Sequence, residues 1–467
     1  MSEDKHKPGK DGLLEDSVSY YSASPEQLRS YAHAADALSD FHAPVFVRSD
    51  NPHDRLFVAA FDGTGNDKNK DPNHATNVAG ISDQVERLDD ARIQVGYVAG
   101  PGTQDNLLSR AWDGMTGGTY DERLEEMYDK LVTQAKEWKA QDPEAQIRLA
   151  NIGFSRGAEQ AAGFARLVHE RGIIDPDSVK LTIDDRGRKQ AQPTGYLVPP
   201  GRVAQAEALF DPVNTGRPEA RDRRPPPSVI SGFQITAEDE RRNKFKSDRI
   251  IDPGMSADGR FLGVAVAGAH SDIGGSYHRD GLAIRSDNLM VDYLNALSDK
   301  PFLRKSAEPD DPRLNVVHRS EEGLLIYRLD RKVDRDTPHG YNALLVPRRE
   351  AGSVADPYGA EPRDETLNRQ FERHPVLIGE KTQPRPDRQS SAQPAAPNPS
   401  AHDMFEALYT AAANKNDDAS RQVAQTYAQS QQGQALLAQG KEANRQAEPP
   451  QQTAQTQPPP QGPVLRP

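Results

Sequence analysis

The sequence predicts an α/β fold built on a mainly parallel sheet, and three observations predict it. Strand-like and helix-like segments alternate between residues 56 and 172, the order that produces a parallel sheet with helices on both faces. The first strand-like segment, LFVAAF at 56–61, is a continuous apolar run, the mark of a strand covered on both faces. The chemistry-bearing motifs follow directly after apolar strands, where an open α/β sheet has its ligand crevice.

The elements run as follows. Residues 1–54 are mostly polar, with Tyr20, Tyr21, Tyr31, Phe41 and Phe46 as their aromatics. Pro44 and Pro52 make 40–55 read as a lead-in loop. Strand 56–61 is followed by a weaker strand at 93–98. Residues 121–140 are a helix, because Leu124, Met127, Tyr128, Leu131, Ala135 and Trp138 recur at three- and four-residue steps. Residues 147–154 are a strand. Helix 156–171 turns Ala161, Ala162, Phe164, Leu167 and Val168 inward and ends at Gly172 as C-cap. Further strands are expected at 204–210 and 261–267, and a helix near 286–297. The polar stretches 175–201 and 216–227 read as surface insertions. Residues 382–400 are rich in Pro, Ser and Gln and read as a linker. Residues 401–414 and 419–447 suit two polar helices, and 449–467 suits disorder. The expected organisation is a polar lead-in (1–54), an α/β-hydrolase-like domain (55–380), a linker (381–400) and a Gln-rich helical, then disordered, tail (401–467).

Composition agrees with a chain that is only partly packed. Hydrophobic residues make up 35% of the 467 residues and mean hydropathy is −0.81; even with the glycines added, the apolar share stays below the usual ~45–50%. The shortage falls in 1–50, the two insertions and the tail. A formal charge of −12 excludes a general nucleic-acid binder. The absence of cysteine excludes disulfides, thiolate metal sites and cysteine nucleophiles. No apolar run is long enough to span a bilayer, and the first residues, MSEDKHKPGKDG, lack the apolar core of a Sec signal.

Gly153-Phe154-Ser155-Arg156-Gly157 fits G-x-S-x-G with a strand before it and a helix after it, the context of a nucleophile elbow. A serine nucleophile needs a general base oriented by a carboxylate, in the chain order Ser, acid, His. Asp211 follows strand 204–210 and His270 follows strand 261–267, each at a strand end. His278, His318 and His339 are rival bases. Asp272 is a rival acid, but it lies two residues after His270 and suits a loop-supporting role better. Asp62 and Gly63-Thr64 follow strand 56–61, and this Gly-rich turn, with the N–H of Arg156, is the expected oxyanion site. Two other readings of the turn fail. An aspartyl phosphatase needs Asp at position 60, which is Ala60. An EF-hand needs Gly and Glu where Asp67 and Asn73 stand. No zinc spacing is present, so neither metal nor cofactor is expected. Arg217, Arg221, Arg223 and Arg224 cluster beside Pro225–Pro227 and read either as a segment that borders the site and docks on lipid headgroups or as a solvated loop.

FDGTGND, GFSRGA, FDPV and GAHSDIGGSY, in that order, resemble segments of the type VI secretion lipase effector family 1. YVAGPGT at 97–103 resembles the family's Tyr…Gly-x-Gly-Thr segment. Ala237–Phe245 resembles its Asp-Glu-Arg-Arg…Phe helix. The resemblance covers about 55–300. It implies an α/β-hydrolase fold and a phospholipase acting at A1 or A2 esters. It further implies Ser155 as nucleophile, Asp211 as orienter and His270 as base. An immunity protein, a secretion adaptor or spike protein, and a phospholipid membrane are the implied partners, and the implied destination is a target cell's periplasm or membrane. Pro212 departs from the family's Asp-Thr-Val. The alternative reading of the same residues is a soluble serine esterase acting on small or non-lipid acyl esters.

Overall fold

The computed structural model describes residues 9–63, 66, 68, 75–100, 119–183, 189–213, 221–323, 325–379 and 381–383. Seven strands form the central sheet: β1 Asp54–Phe61, β2 Ile93–Val98, β3 Gln146–Phe154, β4 Gln205–Phe210, β5 Val229–Ala237, β6 Gly254–Met255 and β7 Phe261–Val266. Their order across the sheet is β2-β1-β3-β4-β5-β7-β6. All neighbours are parallel except the β6/β7 hairpin. β1 and β4 are buried at every position, because helices cover both faces. On one face α1 (Pro25–Ser39), α2 (Asn77–Glu86) and α6 (Gly281–Asn295) pack on Val58, Ile152 and Phe233. On the other, α3 (Thr119–Gln141) and α4 (Arg156–Arg171) pack on Phe57, Leu149 and Leu209.

The chain leaves β1 for the β2 edge and returns on the other side of β1 as β3. The connections at the C-terminal ends of β1 and β3 therefore diverge and open a crevice, the switch point of an open α/β sheet. Gly63 and Ser155 lie at those two ends.

The strands and helices expected between 56 and 172 are present, and Gly172 caps α4 with φ 67°. Expectations for the N-terminal segment, the segment 237–245 and the start of the linker need correction. The N-terminal segment is more than a lead-in. Ser24 and Gln27 form a capping box that starts α1, Tyr31, Ala34 and Leu38 enter the core, and Tyr31 OH donates to Ala267 O at 2.6 Å. The segment 237–245 ends β5 and then continues as bend and turn, with no helix. The insertion at 175–201 lies outside the central sheet and carries a hairpin in which Val179–Ile183 pairs Lys189–Pro193. β5 and α2 were not foreseen: Gly232, Gln234 and Thr236 break the apolar run of β5, and α2 follows the turn after β1. Lys381–Gln383 pairs with Lys305–Ser306, so the first residues of the expected linker belong to the fold. The rest of the linker and the tail lie outside the described residues.

Candidate active site

Ser155 joins β3 to α4 with its backbone at φ 59°, ψ −127°, a strained conformation for a residue with a side chain. The flanking glycines make the turn possible. A Cβ on Gly153 would stand 2.3 Å from Gly157 O, and one on Gly157 would stand 2.2 Å from Phe61 O. The elbow therefore rests backbone to backbone against the end of β1. Gly157→Ala is expected to destabilise the fold by about 1–3 kcal/mol, the usual cost of overpacking. Urea unfolding measures it, and an unchanged midpoint contradicts the backbone contact.

Asp211 follows β4, whose last residue pairs with Phe154. His270 opens the short helix α5 (His270–Gly274) after β7. His270 Nδ1 and Asp211 Oδ2 are 2.6 Å apart, and both side chains are buried. The ring is held between Phe154, at 4.6 Å, and Phe245, edge-on at 5.2 Å. Gly274 lets Phe154 approach, since a Cβ there would stand 2.1 Å from its ring. With the carboxylate on Nδ1, that nitrogen carries the proton and Nε2 is left basic. His270 Nε2 and Ser155 Oγ are both buried, and neither makes a hydrogen bond among the described residues.

Burial lowers the His270 pKa below its ordinary value, against the pull of Asp211, so the imidazole is neutral at neutral pH. Burial also disfavours the Asp211 charge, but Arg335 and His270 outweigh it and hold that carboxyl below its usual range. Asp211 Oδ1 accepts from Ala237 N at 3.0 Å and from Arg335 Nη1.

Asp62, fully buried, ties the facing loop together. It accepts from Thr76 Oγ1 at 2.7 Å and from Tyr97 OH at 2.6 Å. It also accepts from Gly63 N at 2.7 Å, so the N–H expected to serve as an oxyanion donor is engaged within the loop. Thr64 lies outside the described residues. Arg156 occupies the first position of α4, where backbone N–H groups have no helical acceptor.

Asp272 does not contact the His270 ring. It accepts from Ala269 N at 2.9 Å and lies 2.5 Å from His318 Nδ1. His318 Nε2 is 3.0 Å from Asp16 Oδ2, so this rival base is enclosed by two carboxylates. Burial disfavours the His318 charge, but Asp272 and Asp16 outweigh it and raise the pKa to about 9. The folded value exceeds the ordinary 6.5. The imidazolium's stabilisation is thus complete below about pH 6.5 and lost as pH rises through about 9. The melting temperature is expected to fall from pH 7 to 10. His318→Gln should be less stable at pH 7 and flatter across that range; an equal slope in thermal melts contradicts the assignment.

The described members of the arginine cluster make ion pairs within the fold. Arg223 is buried between Glu159 and Asp248, Arg224 pairs with Asp222 and Glu361, and Arg221 pairs with Asp121. Arg217 lies outside the described residues. Sequence reasoning missed Arg335, which no local motif marks. It also passed over Glu240, whose Oε2 accepts from His270 N at 3.3 Å and whose carboxyl is held down to about 2, burial being outweighed by Arg242.

The fold is an α/β fold with Ser155, Asp211 and His270 at the C-terminal ends of its parallel strands. Residues 55–185 match the family model of the type VI secretion (T6SS) phospholipase effector Tle1-like catalytic domain, the same family that the motifs resemble. The match contains Asp62, Gly63, Thr64, Ser155 and Arg156, while Asp211 and His270 lie beyond it. Among solved structures, an uncharacterized protein from Pseudomonas aeruginosa is similar at 17% identity over 64% of this chain and 52% of that chain, with a TM-score of 0.36. A Tle1 effector bound to the VgrG spike of the type 6 secretion system is similar at 21% identity over 50% of this chain and 52% of that chain, with a TM-score of 0.26. The RedJ thioesterase of prodiginine biosynthesis in Streptomyces coelicolor is similar at 13% identity over 52% of this chain and 94% of that chain, with a TM-score of 0.23. The chain thus spans about half the length of the first two. No curated protein matches.

Proposed function

We propose that this protein is a serine phospholipase that hydrolyses A1- or A2-type acyl esters of glycerophospholipids as a type VI secretion effector. One observation carries the reading: a buried serine on a strained elbow at the end of β3, with a buried histidine and aspartate 2.6 Å apart following other parallel strands of the sheet. The Tle1-like match supports the phospholipid as substrate class.

Ser155 Oγ attacks the ester carbonyl and its proton passes to His270 Nε2. Asp211 holds the ring and stabilises the imidazolium. The Arg156 N–H and the positive end of α4 stabilise the oxyanion. The tetrahedral intermediate collapses, His270 gives its proton to the departing lysophospholipid oxygen, and the acyl group stays on Ser155. A water then loses its proton to His270 and attacks the acyl-enzyme; as the second tetrahedral intermediate collapses, His270 returns the proton to Ser155 Oγ and the fatty acid is released. None of these steps calls on a metal or a cofactor.

As an effector the chain would take a spike or adaptor protein as delivery partner, a phospholipid membrane in the target cell as substrate surface, and an immunity protein in the producing cell. Among the described residues no helix is long and apolar enough to cross a membrane. Rates on phospholipid micelles and on short-chain p-nitrophenyl esters test it. Faster turnover of the micellar lipid is expected; turnover of the soluble ester alone would favour a small-ester esterase.

A further inference from the structure

Resting on the triad reading above, we infer that Arg335 is a positioning residue for the reaction: it grips Asp211 on the edge that His270 leaves open and fixes the carboxylate that orients the imidazole. Asp211 divides its two oxygens. Oδ2 meets His270 Nδ1, and Oδ1 takes Arg335 Nη1 together with the N–H of Ala237. The same guanidinium donates to Ala237 O at 3.1 Å and to Phe245 O at 2.6 Å. It therefore ties the acid to the end of β5 and to the segment whose Phe245 ring packs on His270. The rigid fork of an arginine suits this task, since one group satisfies a carboxylate and two carbonyls.

The side chain is 3% exposed, and its loop is built to deliver it. Val333 N donates to Arg241 O at 2.9 Å, and Arg242 bridges Lys332, so the residues before Arg335 are anchored to the Phe245 segment. The turn that follows closes through Thr337 N to Asp334 O and Gly340 N to Thr337 O. Gly340 permits this closure, since a Cβ there would stand 2.4 Å from Arg335 Cα. A cation from 124 residues further along the chain thus completes the acid's setting. The charged groups around the pair are Arg335 on Asp211, and Glu240 with its partner Arg242 on the His270 backbone side. Asp334 and Asp336 flank Arg335 in sequence but are exposed.

The test compares Arg335→Met, Arg335→Lys, Ser155→Ala, Asp211→Asn and the double variant Asp211→Asn/Arg335→Met, all in the full chain. Phospholipid micelles and a short-chain p-nitrophenyl ester are the substrates. Arg335→Met is expected to lose about 10- to 100-fold in kcat, the size typical of a group acting through a first-contact residue. KM should stay within about twofold. The acid limb of kcat/KM should move to higher pH, because removing the cation favours protonation of both Asp211 and His270. Arg335→Lys should recover part of the rate. The double variant should be no slower than Asp211→Asn, as expected of coupled residues. A purely structural arginine would lower stability and leave the pH profile in place, so a wild-type kcat and acid limb in folded Arg335→Met overturns the proposal. Should that variant not fold, Arg335→Lys decides: several-fold lower kcat is expected, and a wild-type kcat and limb overturns it. Hydrolysis retained by Ser155→Ala would instead overturn the triad reading itself, whatever Arg335 does.

Discussion

Ser155→Ala is expected to lower kcat by about 10⁶-fold, the loss typical of removing the nucleophile from a serine, histidine and aspartate unit. The geometry supports so large an effect. The hydroxyl sits at the crevice between β1 and β3, and the Phe154 ring next to it lies 4.6 Å from the His270 ring. His270 Nδ1 is committed to Asp211. The variant should fold normally, because among the described residues Ser155 Oγ makes no hydrogen bond that alanine would lose. Steady-state rates on micellar phospholipid, with thermal melts alongside, measure both halves of the expectation.

Asp211→Asn is the second large expected loss, about 10⁴-fold in kcat. The amide can no longer stabilise the imidazolium, and it presents an N–H or a neutral oxygen where His270 Nδ1 needs an anion. It also leaves Arg335 buried without its carboxylate. Breaking a buried pair on one side costs about 3–5 kcal/mol, so this variant should lose stability where Ser155→Ala does not. Rates and urea midpoints on the two proteins separate the effects. An Asp211→Asn protein with wild-type rate would remove Asp211 from the chemistry.

Much of this was legible in the sequence, and the reason is local. The strand and helix on either side of Ser155 announce themselves through continuous apolar runs and helical spacing, and the two flanking glycines through their motif. Asp211 and His270 were singled out because each follows a short apolar strand, and their side chains lie 2.6 Å apart. What failed to show was what depends on distant partners. β5 carries Gly232, Gln234 and Thr236, yet it is a central strand. Gly232 makes room for Ile251 and Phe261, whose side chains would lie 2.7 Å and 2.8 Å from a Cβ, and Gln234 accepts from Ile251 N at 3.0 Å. Arg223 and Arg224 looked like a basic surface because their acidic partners Glu159, Asp248 and Glu361 lie far away in sequence. Arg335 was silent for the same reason. The capping box of α1 was visible at Ser24 and Gln27, but the polar composition around it hid the helix.

The central claim is that Ser155 cleaves an acyl ester of a glycerophospholipid. The most direct measurement incubates the purified chain with mixed glycerophospholipids and reads the products by mass spectrometry, with Ser155→Ala in parallel. The account predicts lysophospholipid and free fatty acid from the wild-type chain and neither from Ser155→Ala. Release of a headgroup with both acyl chains intact, or lysophospholipid formed by Ser155→Ala at the wild-type rate, would contradict it.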